Sequence, residues 1–236
     1  MNDLFDEQAA ATYETWYETA EGERADVLEK AAIYQLLEGF SAARPGPGEG
    51  AQSVLEVGCG TGHFARWLDD TGWAAVGLDL SAPMLAEAQA LNGLPLALGD
   101  AVHLPFADDT FDVTAFITTL EFLERRKAAL MEAVRVARDG VLLGVLNRWS
   151  VLALRRRLSG LLQPTVYDHA RFCGVKALEQ LLRSVADDAA HVVWRTTLFP
   201  AWEWCPLPWP GPQTHLPWGG FIAMALHQAH EAEVEG

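Results

Sequence analysis

Apolar residues along the chain recur with two alternating periods. Ser53 to Val57, Ala74 to Leu78, Leu94 to Leu98, Val113 to Thr118 and Gly140 to Leu146 are short, largely apolar runs bounded by turn residues, the character of buried parallel strands. Between them, Phe64 to Leu68, Pro83 to Leu91 and Leu123 to Ala137 carry apolar residues at helical spacing. Strand and helix in strict alternation predict an α/β sheet with helices on both faces. Two later strands are predicted at His191 to Phe199 and Gly219 to Leu226, with a helix from Val175 to Ala186 before them.

The flanks of this array read differently. Asp3 to Phe40 has helical spacing broken near Gly22, with Tyr13, Trp16 and Tyr17 clustered in its first half. Ala42 to Gly50, holding Pro45-Gly46-Pro47-Gly48, has no period and reads as a linker. The expected division is a helical cap over 1–44 and a catalytic domain over 45–236. Two segments of that domain, 149–173 and 199–218, are candidate substrate caps. The second has prolines at 200, 206, 208, 210, 212 and 217 with Trp202, Trp204, Trp209 and Trp218 among them. Prolines this dense exclude helix and interior strand; the tryptophans either cover a sheet edge or line a cavity. Arg155 to Arg157 interrupt the first segment and read as a solvated helix face.

Composition narrows the partners. The chain has 236 residues and a formal net charge of −15, which argues against duplex nucleic acid and anionic membrane as partners, since both are bound through cationic groups. Cys59, Cys173 and Cys205 form no CxxC pair, so neither a zinc site nor a disulfide framework is expected. His227 and His230 have metal-like spacing but no third ligand nearby, and no metal is expected. The acidic start, MNDLFDEQ, has no apolar core and does not resemble a secretory signal. No apolar run reaches the length of a membrane span. A cytoplasmic protein is expected.

The candidate chemistry centres on Val54 to Phe64, VLEVGCGTGHF. Three alternate glycines at the end of an apolar strand permit a tight turn and a close ligand approach to bare backbone. Position 63, where a dinucleotide fingerprint places its third glycine, is His63, and the chain has no Gly-Lys pair for a Walker loop. A second strand ends at Asp79 and a third at Asp100. With Glu56, they give acidic residues at or near the carboxyl ends of three successive strands, where an open α/β sheet binds its ligand.

With Glu56 two residues before the first of the alternate glycines, the loop resembles the first motif of class I S-adenosylmethionine-dependent methyltransferases. GLDLSAPML (Gly77 to Leu85) is similar to the second motif, and Gly99-Asp100-Ala101 to the third. The resemblance is closest over Val54 to Asn147. It implies a Rossmann-like, seven-stranded, mostly parallel sheet with an antiparallel last strand and an N-terminal helical lid. It also implies S-adenosylmethionine as cofactor and a small-molecule methyl acceptor. By the same resemblance, Glu56 and the amides of Gly58, Cys59, Gly60 and Gly62 anchor the methionine end, and Asp79 the ribose. Leu80 and Met84 flank the adenine, while Asp100 and Ala101 meet its edge. Thr118 lies beside the reacting methyl, and Tyr13 and Trp16 close over the cofactor.

Cys59 reads as a small packing residue, with no base placed beside it by the sequence. On the acceptor side the candidates are Glu121, Asn147, Tyr167, His169 and His215; Glu121 otherwise serves the amino end of the next helix. No catalytic residue is assigned, because methyl transfer from a sulfonium requires alignment above all and a base only for a protonated acceptor. A cofactor-binding regulatory protein is the alternative, with the Trp-Pro segment as its partner surface. Oligomeric state is not specified by these features.

Overall fold

The computed structural model describes residues 5–42, 51–91, 93–148, 170–199 and 214–229. Helices α1 (Glu7–Tyr13) and α2 (Ala20–Ala42) precede strand β1 (Ser53–Val57). There follow α3 (His63–Asp70), β2 (Ala74–Asp79), α4 (Ala82–Leu91), β3 (Leu96–Leu98), β4 (Phe111–Ile117), α5 (Arg126–Val136) and β5 (Ala137–Leu146). The last elements are α6 (Val175–Arg183), β6 (His191–Thr197) and β7 (Phe221–His227).

The seven strands form one sheet in the order β3-β2-β1-β4-β5-β7-β6. The pairs from β3 across to β5 are parallel. β7 runs antiparallel to both of its neighbours, as a seven-stranded sheet with an antiparallel last strand requires. Strand order reverses between β1 and β4, which opens a crevice at their carboxyl ends.

Each face of the sheet has its own core. Ala32, Ile33, Leu36, Leu37 and Phe40 form a buried stripe on α2 that packs with Phe64 and Leu68 of α3 and Phe221 of β7. On the opposite face, Leu130, Ala133 and Val136 of α5 and Leu178 and Leu182 of α6 pack with Leu143, Ile222 and Met224. Most of α2 is therefore a sheet-covering helix, and among the described N-terminal residues those that reach the crevice, Phe5 and Tyr13, precede it.

The break in the N-terminal helices lies before Gly22, not at it. Thr19 accepts from the Gly22 amide through its hydroxyl at 3.0 Å and from Glu23 through its carbonyl at 2.8 Å, starting α2 as a capping threonine does. A β-carbon at Gly22 would lie 2.0 Å from the Trp16 carbonyl oxygen, so glycine serves close packing of the preceding turn. β5 also begins earlier than its apolar run, at Ala137. The β4–β5 register shifts between Phe111 and Val113, and Arg138 reaches Asp112 at 3.1 Å, which holds the added residues in the ladder. Tyr167, His169, Arg155 to Arg157, Trp202, Trp204, Cys205, Trp209 and His230 lie outside the described residues.

Candidate active site

The turn after β1 depends on glycine at each alternate position. Gly58, Gly60 and Gly62 have φ of +75°, +55° and +80°, values that residues with a β-carbon rarely adopt. The Gly58 and Cys59 amides both donate to the Leu78 carbonyl, at 2.6 and 3.0 Å. This ties the loop to the end of β2. A β-carbon at Gly58 would come within 2.1 Å of Thr119 Cγ2, whereas one at Gly60 would meet nothing within 4 Å. Gly58 is closed by packing, and Gly60 faces open space.

Three acidic residues stand near this turn. Glu56 is buried at 1% exposure, accepts from the Ala65 amide, and is pushed well above the ordinary carboxyl range by burial. Among the described residues its Oε2 has no partner. Asp79 accepts from the Gly60 amide through Oδ2 and from the Ser81 amide through Oδ1, each at 2.8 Å. Burial raises its pKa, opposed by these backbone donors. Asp100 Oδ1 accepts from the Val102 amide at 3.1 Å, which fixes the turn that presents Ala101.

A cavity open to solvent on one side lies over these groups. Gly58, Gly60, Asp79, Leu80 and Met84 line one side; Asp100, Ala101 and Thr118 line another. Thr118 has φ +51°, and its amide donates to the Gly144 carbonyl at 2.7 Å. Thr119 donates its hydroxyl to the Gly58 carbonyl at 2.9 Å, joining the ends of β1 and β4 across the crevice. The N-terminal segment covers the cavity with Phe5 and Tyr13. Ser81 donates to the Phe5 carbonyl at 2.7 Å, and the Phe5 ring meets Phe122 edge-on at 5.4 Å.

The sequence model for the family described as a methyltransferase domain matches residues 55–145. The malonyl-[acyl-carrier protein] O-methyltransferase of Pectobacterium atrosepticum is 30% identical over 188 residues, 79% of this chain and 71% of that one. The demethylmenaquinone methyltransferase of Mycolicibacterium paratuberculosis is 32% identical over 198 residues, 80% of this chain and 79% of that one. The chain belongs to the class I S-adenosylmethionine-dependent methyltransferases. A SAM-dependent methyltransferase from Thermotoga maritima shares the fold of this methyltransferase at a TM-score of 0.68 and 25% identity, covering 97% of this chain and all of that one. The enzyme catalyses methyl transfer, and its cofactor is S-adenosylmethionine.

Other expected site residues of the methyltransferase lie away from the cavity wall. Cys59 turns into the protein beside Gly77, where an added β-carbon would sit 2.8 Å from its sulfur. Burial raises its thiol pKa, consistent with a packing role. Gly62 begins α3. Trp16 packs edge-on against Tyr17 at 4.9 Å and does not reach the cavity. His215 is exposed and meets Trp194 edge-on at 5.4 Å.

Glu121 is buried in a short turn, Leu120–Phe122, ahead of α5, so it does not serve the helix terminus. Its Oε1 accepts from the Leu146 amide at 2.5 Å, Oε2 has no partner among the described residues, and burial pushes its pKa up to about 7. The Glu121 carbonyl receives the Arg171 amide at 2.8 Å. Asn147 donates its amide to the Pro217 and Gly219 carbonyls, at 2.8 Å each. Both residues therefore brace chain segments beside the site.

Phe5, Ser81, Phe122 and Leu123 line the cavity without having been singled out in the sequence as site residues. Thr119, which the resemblance implies lies with Thr118 at the end of β4, lines it as well. Among the described residues no helix is long and apolar enough to cross a membrane, and no three His, Cys, Asp or Glu side chains converge.

Proposed function

We propose that the cavity at the ends of β1 to β4 holds the cofactor and that a small molecule with an apolar or aromatic surface receives the methyl group. The observation that carries this reading is the pairing of Gly60, whose β-carbon position opens into free space, with the Asp79 carboxylate bonded to its amide. Backbone without a side chain beside a half-buried carboxylate suits a ligand that brings its own hydroxyls.

The residue roles are those the family resemblance implies, and the lining of the cavity by Gly58, Gly60, Asp79, Leu80, Met84 and Asp100 supports them. Gly58 and Gly60, supported from beneath by Glu56, cradle the methionine end, with Cys59 and Gly62 shaping the turn. Asp79 accepts from the ribose hydroxyls, Leu80 and Met84 enclose the adenine, and Asp100 with the Ala101 amide reads its edge. Thr118 and Thr119 border the reacting centre, and Tyr13 closes the roof while Trp16 holds the cap's aromatic cluster. The bound cofactor supplies a methyl group already activated on a sulfonium. The chain's own task is to align the acceptor and exclude water, which Phe5, Tyr13 and Phe122 do by covering the opening.

On the acceptor side, Phe122 and Leu123 offer an apolar wall. We assign Glu121 and Asn147 to holding the segments at Arg171 and Pro217 to Gly219 that border it, and Tyr167, His169 and His215 to the acceptor lobe. The segments 149–173 and 199–218 form the substrate cap. A relative named for demethylmenaquinone supports an acceptor with a substantial apolar part. The net charge of −15 disfavours nucleic acid as acceptor, and a chain without CxxC pairs suits the cytoplasm.

Incubation of the full chain with methyl-labelled cofactor and a fractionated metabolite extract tests the reading. Label is expected in an organic-soluble, low-mass product with the wild type and not with Asp79→Ala. Label in nucleic acid overturns the acceptor class. Cofactor binding without any transfer supports the regulatory alternative instead.

A further inference from the structure

We infer that His63 and Glu14 form a latch that holds the N-terminal cap shut over the cofactor cavity and governs cofactor exchange; this rests on the cavity being the cofactor site. The inference starts from a position the cradle itself does not use. His63 opens α3 just beyond the glycine turn, and its ring is held from the cap side and the α2 side. Nδ1 lies 3.3 Å from Glu14 Oε2 and Nε2 lies 2.7 Å from Asp26 Oδ1. A neutral imidazole can donate from only one nitrogen, so only the protonated ring satisfies both carboxylates.

The surroundings complete the clamp. Tyr17 stacks on the His63 ring with centroids 3.6 Å apart and planes 8° from parallel. Glu14 also accepts from the Thr61 hydroxyl and pairs with Arg66 at 3.1 Å. Lys30 Nζ stands 2.8 Å from Asp26 Oδ2 and 3.1 Å from His63 Nε2. The charged groups facing His63 are thus Glu14 from the cap, Asp26 and Lys30 from α2, and, through Glu14, Arg66 from α3. Burial opposes protonation of His63 and Lys30 repels it, yet the bonds to Asp26 and Glu14 prevail and raise its pKa above the ordinary 6.5. Hydrogen bonds from His63 and Thr61 and the Arg66 charge outweigh burial at Glu14 and hold it down to about 2.

Glu14 directly follows Tyr13, whose side chain lines the cavity. The latch consequently fixes the covering residue from its own backbone. The far end of the cap is held more lightly, by the Ser81 bond to the Phe5 carbonyl and the Phe5–Phe122 contact. Release of Glu14 frees Tyr13 while α2 stays packed on the sheet. His63 and Glu14 are positioning residues, acting through Tyr13.

Stopped-flow release of S-adenosylhomocysteine from the full chain tests the latch. Glu14→Gln and His63→Gln are each expected to speed release by about tenfold, since each removes charge-assisted bonds, and the double variant adds little beyond either because the two act as one unit. In the wild type, release accelerates as pH rises through the raised His63 pKa, and His63→Gln abolishes that dependence. Unchanged release in both variants overturns the latch. So does a wild-type rate that is flat from about pH 6 to about pH 9, across which histidine titrates, a result that needs no variant to fold. A wild type that fails to bind S-adenosylhomocysteine overturns the cofactor site and the latch with it, and is distinguished by that failure.

Discussion

At the scale of single residues, alternate glycines in one turn carry different duties. Gly58→Ala places a β-carbon 2.1 Å from Thr119 Cγ2 at a φ of +75°, and is expected to cost about 2 to 4 kcal/mol of stability through overpacking and backbone strain. Gly60→Ala meets no neighbour and is expected to cost about 1 to 2 kcal/mol, the left-handed penalty alone, while cofactor affinity falls further than stability. Denaturant titration beside cofactor titration of the two variants checks this, and equal effects on both readouts would refute the division. The glycine spacing and the order Glu56, Asp79, Asp100 could be read from the chain because backbone conformation and strand ends are local properties. The burial of Glu121 could not, since its surroundings come from Leu146 and Arg171, distant positions that no spacing rule brings together.

At the scale of elements, the cap and the sheet part company at Thr19. The residues before it touch the cavity through Phe5 and Tyr13, while α2 buries Ile33, Leu37 and Phe40 in a sheet core. Removing residues 1–17 is therefore expected to leave a cooperative melting transition and to weaken cofactor binding by at least about tenfold, the loss of roof contacts and of the Glu14 bonds together. Phe40→Ala, by contrast, is expected to cost about 3 to 5 kcal/mol of stability. Calorimetric melting of the two proteins distinguishes them; a truncated chain that melts without cooperativity would contradict the boundary. Periodicity located the sheet-covering helices well, because one buried stripe leaves a 3.6-residue signature. It located the break near Gly22, but the local sequence cannot reveal that this glycine makes room for the Trp16 carbonyl.

For the whole molecule, stability depends on pH through groups that folding removes from water. Glu121 rises to about 7 from an ordinary 4.5, so between those values the folded chain keeps a proton that the unfolded chain releases. Stability is expected to fall as pH rises across that window, by on the order of 3 kcal/mol from this group. Glu121→Gln should flatten the fall, measured as denaturation midpoints against pH. His227 acts oppositely: burial and the neighbouring His191 lower it to about 4, so its contribution is lost as pH falls from about 6.5 toward 4. An unchanged pH slope in Glu121→Gln would refute the role given to its burial.

The whole fold also explains how the site is supplied. Its acidic residues come from three parallel strands, its threonines from the end of β4, and its roof from the N-terminal segment, so the cofactor cavity exists only when the sheet and cap assemble. The most direct test is calorimetric titration of S-adenosylhomocysteine into the full chain and into Asp79→Ala. The wild type is expected to bind one equivalent, and Asp79→Ala to bind at least about tenfold more weakly, as loss of a half-buried charged acceptor implies. No binding by the wild type, or undiminished binding by Asp79→Ala, would contradict the assignment of this cavity to the cofactor.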